Sequence, residues 1–183
     1  NNVRWYSENN LAGSMRGSVV SQFCEDDKGN LWIATENGGL NYFDTHTQQF
    51  TSYKFTGKQH HISHNNLHAL MLDGNHLWIG TFSKGIDIMD VRTRRVVKNY
   101  QRRKGTAGSL PHNYIYSIYK TRSGDIFVGT MLGFCRYIPQ SDSFHTYDQM
   151  RNIFVYDMVE DAEGCLWIAS KDNGVWRLKG GEL

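Results

Sequence analysis

The sequence predicts an all-β chain built of β-propeller blades, each a four-stranded antiparallel meander, and three observations carry that reading. A short apolar phrase is written four times, as "GNLWIAT", "NHLWIGT", "GDIFVGT" and "GCLWIAS"; its aromatic falls at Trp32, Trp78, Phe127 and Trp167, spaced 46, 49 and 40 residues apart. A period of roughly 40 to 50 residues is the signature of a repeat architecture. Each phrase sits among further strand-like runs separated by turn residues. Eighteen Gly, only two Pro, and five Trp, ten Tyr and nine Phe complete the picture, because aromatic side chains fit a pleated surface and glycines supply tight turns.

The elements follow in order within each repeat. The first strand is "SVVSQFCED" from Ser18, "NNLHALMLD" from Asn65, "NYIYSIYK" from Asn113 and "IFVYDMVED" from Ile153. The recurring phrase is the second strand. It is apolar on both faces: in "LWIAT", Leu31 and Ile33 point one way and Trp32 and Ala34 the other, so it must be covered on both sides. A third strand opens on glycine, at Gly39, Gly85, Gly133 and Gly174, and a fourth is marked by Phe50/Tyr53, Val97/Tyr100 and Phe144/Tyr147. Small residues two after the aromatic (Ala34, Gly80, Gly129, Ala169) leave room for a side chain of the adjoining blade.

The expected organisation is residues 1–10 as the outer strand of a blade, then blades over 14–56, 62–103 and 109–149, and an incomplete blade over 150–183. Val3 and Tyr6 match the spacing of the missing fourth strand. Either they close a ring of four blades by pairing with Val175–Leu178, or they finish a blade of a larger ring from which four consecutive blades are taken.

Twenty basic and 18 acidic residues give a net charge of +2 with no run of like charge, so no nucleic-acid partner is implied. No apolar run reaches the ~18 residues of a membrane span, and no direct membrane contact is expected of this segment. Cys24, Cys135 and Cys165 form no CxxC pair and no even set, which reads as three small apolar residues rather than a disulfide framework.

The motif in "DDKGNLWIATENGGLNYFDTHTQQFTSY", "DGNHLWIGTFSKGIDIMD", "SGDIFVGTMLGFCRYIPQSDSFHTY" and "DAEGCLWIASKDNGVWRL" resembles the two-component regulator propeller repeat. That repeat is found in the periplasmic sensor regions of hybrid two-component system histidine kinases. The resemblance covers practically the whole chain. It implies part of a seven-bladed ring in a periplasmic, membrane-anchored, homodimeric receptor, with the neighbouring blades and domains of that receptor as partners and an oligosaccharide as ligand. It implies no cofactor and no catalysis by this segment, since no kinase, receiver or helix-turn-helix sequence is present.

Candidate ligand contacts are the loops leading into the first strands and those between second and third strands, which should share one face. They offer His64, Asn65, Lys84, His112, Asn113, Lys171 and Asp172, beside Tyr116 and Tyr156; polar groups next to aromatic rings suit a sugar. Asn65 and Asn113 could equally serve turn geometry. A structural or protein-interaction propeller without its own ligand is the alternative, and a glycan-active enzyme the third reading. Asp27-x-Gly29-x-x-Trp32 overlaps the Asp-box of sialidase propellers, itself a turn, without their arginine cluster converging here; no convergent His and Glu set supports a streptogramin-lyase-like reading. His60, His64 and His68, spaced by four, would share a face only on a helix, so no metal site is assigned.

Overall fold

The structure is a computed structural model that describes residues 3–9 and 11–180. The strands are β1 (Val19–Glu25), β2 (Leu31–Glu36), β3 (Gly39–Asp44), β4 (Gln49–Tyr53), β5 (Leu67–Asp73), β6 (His76–Thr81), β7 (Ile86–Asp90) and β8 (Arg95–Tyr100), followed by β9 (Ile115–Lys120), β10 (Ile126–Thr130), β11 (Gly133–Ile138), β12 (Ser143–Thr146), β13 (Val155–Glu160), β14 (Leu166–Ser170) and β15 (Val175–Leu178). They form sheets in sequence order: β1–β4, β5–β8, β9–β12 and the three-stranded β13–β15. The fold class is therefore all-β, with propeller blades as its repeating unit.

Side chains at fixed repeat positions close the turns. The hydroxyl ending each recurring phrase donates to the carbonyl of the glycine at, or just before, the start of the third strand: Thr35 to Gly39 (2.8 Å), Thr81 to Gly85 (2.8 Å), Thr130 to Gly133 (2.9 Å) and Ser170 to Gly174 (2.8 Å). The three threonines are fully buried, where an unpaired hydroxyl would be costly. Before the second strand, Asp26 Oδ1 accepts the Lys28 and Asn30 N–H groups, and Asp161 Oδ1 those of Glu163 and Cys165. The Asp-box-like stretch is a side-chain-capped turn. The cysteines are free, Cys135 and Cys165 buried and Cys24 half-buried.

The chain divides into two compact units, Asn1–Ile79 with Asp87–Lys98, and Gly80–Ile86 with Asn99–Leu183. In the first, both faces of β2 are filled: Trp32 and Ala34 pack with Leu67, Leu70 and Leu77, while Ile33 packs with Met15, Phe43 and Phe50. In the second, Phe127 and Phe134 pack with Val155, Met158, Leu166 and Ile168. A Cβ placed on Gly129 would meet Val155 Cγ1 at 2.5 Å and collide with Ser117 Oγ, so the small residue of β10 does admit a side chain of the following sheet.

Three expectations change. Trp32, Trp78 and Phe127 are 1%, 5% and 5% exposed, but Trp167 is 39% exposed. Trp32 lies under the Arg94 guanidinium of the following repeat (4.5 Å), whereas Trp167 contacts groups of its own repeat, donating from its indole to Asp161 Oδ2 (2.7 Å). In β8 the buried residue is Val96, while Val97 points outward; the fourth strand is one residue longer there, which keeps Tyr100 against Gly85. Val3–Tyr6 form no strand; Tyr6 packs instead on Phe43 and Phe50, centroids 5.2 and 5.5 Å away. Asn1, Asn2 and Asn10 of the first expected segment, and 181–183 of the last, lie outside the described residues.

Candidate functional site

A β-bulge recurs at the second or third residue of the first strand. The register shifts between Val20 and Gln22 in β1, opposite Gly129/Thr130 in the β9 pairing, and between Val155 and Asp157 in β13. The extra residues are Ser21, Tyr116 and Tyr156. Bulges bend the strand and re-aim a side chain, and here two of the three carry the phenol rings expected at a ligand surface.

In the second unit those rings converge. Phe154 lies 4.4 Å from Tyr116 and stacks at 4.4 Å on Tyr156; the two tyrosines meet edge-on at 6.0 Å. The Lys171 ammonium stands 5.9 Å from the Phe154 ring, held there because the Lys171 N–H donates to the Phe154 carbonyl (2.8 Å). Tyr156 is 46% exposed, so the cluster presents an aromatic face with a cation at its edge. Asp172 lies beside it in a left-handed turn (φ 62°).

A second aromatic pair sits in the same unit: Phe82 stacks on Tyr114 at 4.6 Å, and His112 meets Tyr114 edge-on at 4.8 Å. His112 Nδ1 accepts the Tyr114 N–H (3.1 Å), which places the ring proton on Nε2. Burial, followed by the nearby Arg102 charge, lowers the His112 pKa. Below its ordinary value of about 6.5 the unfolded chain takes up this proton more readily than the folded one, so His112 makes stability fall as the pH drops through 6.5. The expected result is a melting temperature that declines less steeply between pH 7 and pH 5 in His112→Asn than in the parent.

The other expected contacts are committed to the backbone. Asn113 Oδ1 accepts the Arg102 N–H (2.6 Å) and its carbonyl accepts the Gly85 N–H (2.9 Å). In the first unit Asn65 repeats the arrangement with Phe55 (2.7 Å) and Gly39 (2.9 Å), and His64 Nδ1 accepts from Asn66 (2.9 Å) as His112 does from Tyr114. His60 Nδ1 faces the Val96 carbonyl at 3.0 Å. Lys84 is exposed, its N–H bonded to Thr81 Oγ1 (2.8 Å). Of the nine candidates, Tyr116, Tyr156 and Lys171 are thus gathered around one ring. Phe154, Tyr114 and Phe82 were missed; the signal for the first two was an aromatic just before the first strand in the third and fourth repeats, where the second has Asn66.

The family described as "Two component regulator propeller" matches residues 14–37, 109–131 and 149–172. Those three stretches are similar to two-component regulator propeller repeats. The chain is 35% identical over 81 residues to Histidine kinase P4 of Formosa agariphila, covering 39% of this chain and 6% of that one. The fold is similar to the extracellular domain of the hybrid two component system BT3049 from B. thetaiotaomicron (TM-score 0.63, 21% identity, 97% of this chain and 30% of that one). It is also similar to PorZ, a surface component of the type-IX secretion system of Porphyromonas gingivalis (TM-score 0.72, 18% identity, 98% and 28%). The chain spans less than a third of each of these proteins. Among the described residues no helix is long and apolar enough to cross a membrane.

Proposed function

We propose that this regulator-propeller segment is a non-catalytic sensing module of a periplasmic, homodimeric receptor, and that it takes part in recognising an oligosaccharide whose occupancy is passed to a histidine kinase. The observation that supports a ligand role is the cluster of Tyr116, Phe154 and Tyr156 with Lys171 at its edge: two bulges turn phenol rings outward, and a sugar's C–H face stacks on such rings while its hydroxyls bond to polar neighbours. Signal would follow only from a ligand that prefers one packing of the receptor over another.

The exposed side chains Val159, Trp167 and Val175 on β13–β15 favour a second reading, a propeller whose task is to pack against neighbouring domains of the same receptor. One titration separates the two. An oligosaccharide panel is screened against the chain and binders are followed by calorimetry; Tyr156→Ala weakens binding about tenfold, the equivalent of one aromatic contact, and Lys171→Ala does so for acidic glycans. Absence of binding to the whole panel, or unchanged affinity in both variants, leaves the packing role.

A further inference from the structure

The turn before each fourth strand holds a residue with left-handed backbone: Gln48 (φ 59°), Arg94 (φ 59°) and Asp142 (φ 50°). Because the three angles agree, the conformation belongs to the turn, and the side chains are what differ. In the first repeat the Tyr6 hydroxyl donates to Gln48 Oε1; in the third the Tyr100 hydroxyl donates to Asp142 Oδ1. Tyr6 and Tyr100 stand at the repeat position of Tyr53. The same contact, phenol donor to turn acceptor, is therefore made twice.

The second repeat breaks it. Arg94 is a donor with no acceptor to offer Tyr53. Its guanidinium stacks on Tyr42 (4.1 Å) and Trp32 (4.5 Å), and its Nη1 is shut off from solvent without a hydrogen-bond partner. Beside it opens a cavity of about 480 Å³ lined by Arg16, Lys54 and Arg94, by His60 and His61, and by the buried Ile62, with no carboxylate in its wall. All of these residues lie in the first unit. Three cations around a partly apolar pocket without a carboxylate select a negatively charged ligand.

We infer that this cavity binds a compact oxyanion, a carboxylate or sulfate group on a small molecule, with Arg94 as its principal contact. The site is separate from the Tyr116–Tyr156 cluster and does not depend on it. The ligand's oxygen supplies the acceptor that Gln48 and Asp142 supply in the neighbouring repeats. Lys54, at the exposed rim, adds charge.

Calorimetric titration of the chain with sodium glucuronate and with sodium sulfate tests this, with glucose as the neutral control. The expected result is binding of at least one anion and not of glucose. Glucuronate alone assigns the carboxylate, sulfate alone the sulfate group, and mutual competition assigns both to one pocket. Arg94→Gln installs the acceptor of the first repeat, so it is expected to keep the melting temperature and to weaken anion binding about ten- to a hundredfold. Lys54→Gln, at an exposed side chain, is expected to weaken it about threefold or more and stands in if Arg94→Gln does not fold. No anion binding by the parent overturns the assignment, as does anion affinity unchanged in the folded variants.

Discussion

Replacing Gly85 by Ala is expected to lower stability by about 2–5 kcal/mol, the sum of two separate costs. Gly85 has φ +71°, a conformation that costs an L-residue about 1–2 kcal/mol. The added Cβ would also collide with the carbonyl oxygen of Tyr100 and stand 3.0 Å from its carbonyl carbon and 3.2 Å from Gln101 Cα. These are backbone atoms at the end of β8, so no rotamer change relieves the overlap, and overpacking of this kind adds about 1–3 kcal/mol. Gly74→Ala is the control, since Gly74 also has positive φ (+57°) but nothing within 4 Å of the added carbon; it carries the first cost alone. Urea unfolding of the two variants measures the difference. Equal losses would show that the close approach of the third and fourth strands at Gly85 is not what requires glycine there.

That close approach explains why so much of the architecture was legible in the sequence. Features that every blade needs are written in every repeat: the apolar phrase, the hydroxyl that ends it, and the glycine that receives that hydroxyl's hydrogen bond. Repetition made them visible without any structure. Trp167 shows the limit of the same reasoning, because the phrase records what a strand is built to face, and its degree of cover depends on groups from other repeats, as the stacking of Arg94 on Trp32 shows. Val97 shows another: one extra residue in a strand shifts burial to Val96 while leaving the pattern of residue types almost unchanged.

The candidate site was legible only in part, for a related reason. Tyr116 and Tyr156 stand at equivalent positions, so the repeat pointed to both; that a bulge turns each outward is a property of pairing register, which residue types do not encode. Asn65, Asn113, His64 and His112 carry polar groups suited to a ligand, yet their atoms are bonded to nearby backbone N–H groups, and sequence alone does not distinguish the two uses. The Arg94 cavity was missed altogether. Its signal was a departure at one repeat position, Gln48 and Asp142 against Arg94, and its meaning emerges only once the tyrosine facing each of them is known.

Contact between successive repeats carries the second large effect. Gly129→Ala is expected to cost about 1–3 kcal/mol, although Ala is the better strand residue by backbone entropy, because the new methyl would sit 2.5 Å from Val155 Cγ1 and against Ser117 Oγ. Val155 is fully buried in the core that β10 shares with β13 and β14, so trimming it to Ala alone is expected to cost about 1–3 kcal/mol through lost contacts and a small cavity. The two changes should not add. With Val155 shortened, the methyl on residue 129 enters the space that Val155 vacates, and the double variant should be less destabilised than the sum of the singles by about 1 kcal/mol, within the range found for residues in direct contact. Denaturant unfolding of the parent, the two single variants and the double variant measures that coupling. A coupling of zero would mean that the glycine is there for the pleat of β10 itself, and that the match between a small residue in one blade and a buried side chain of the next does not hold these repeats together.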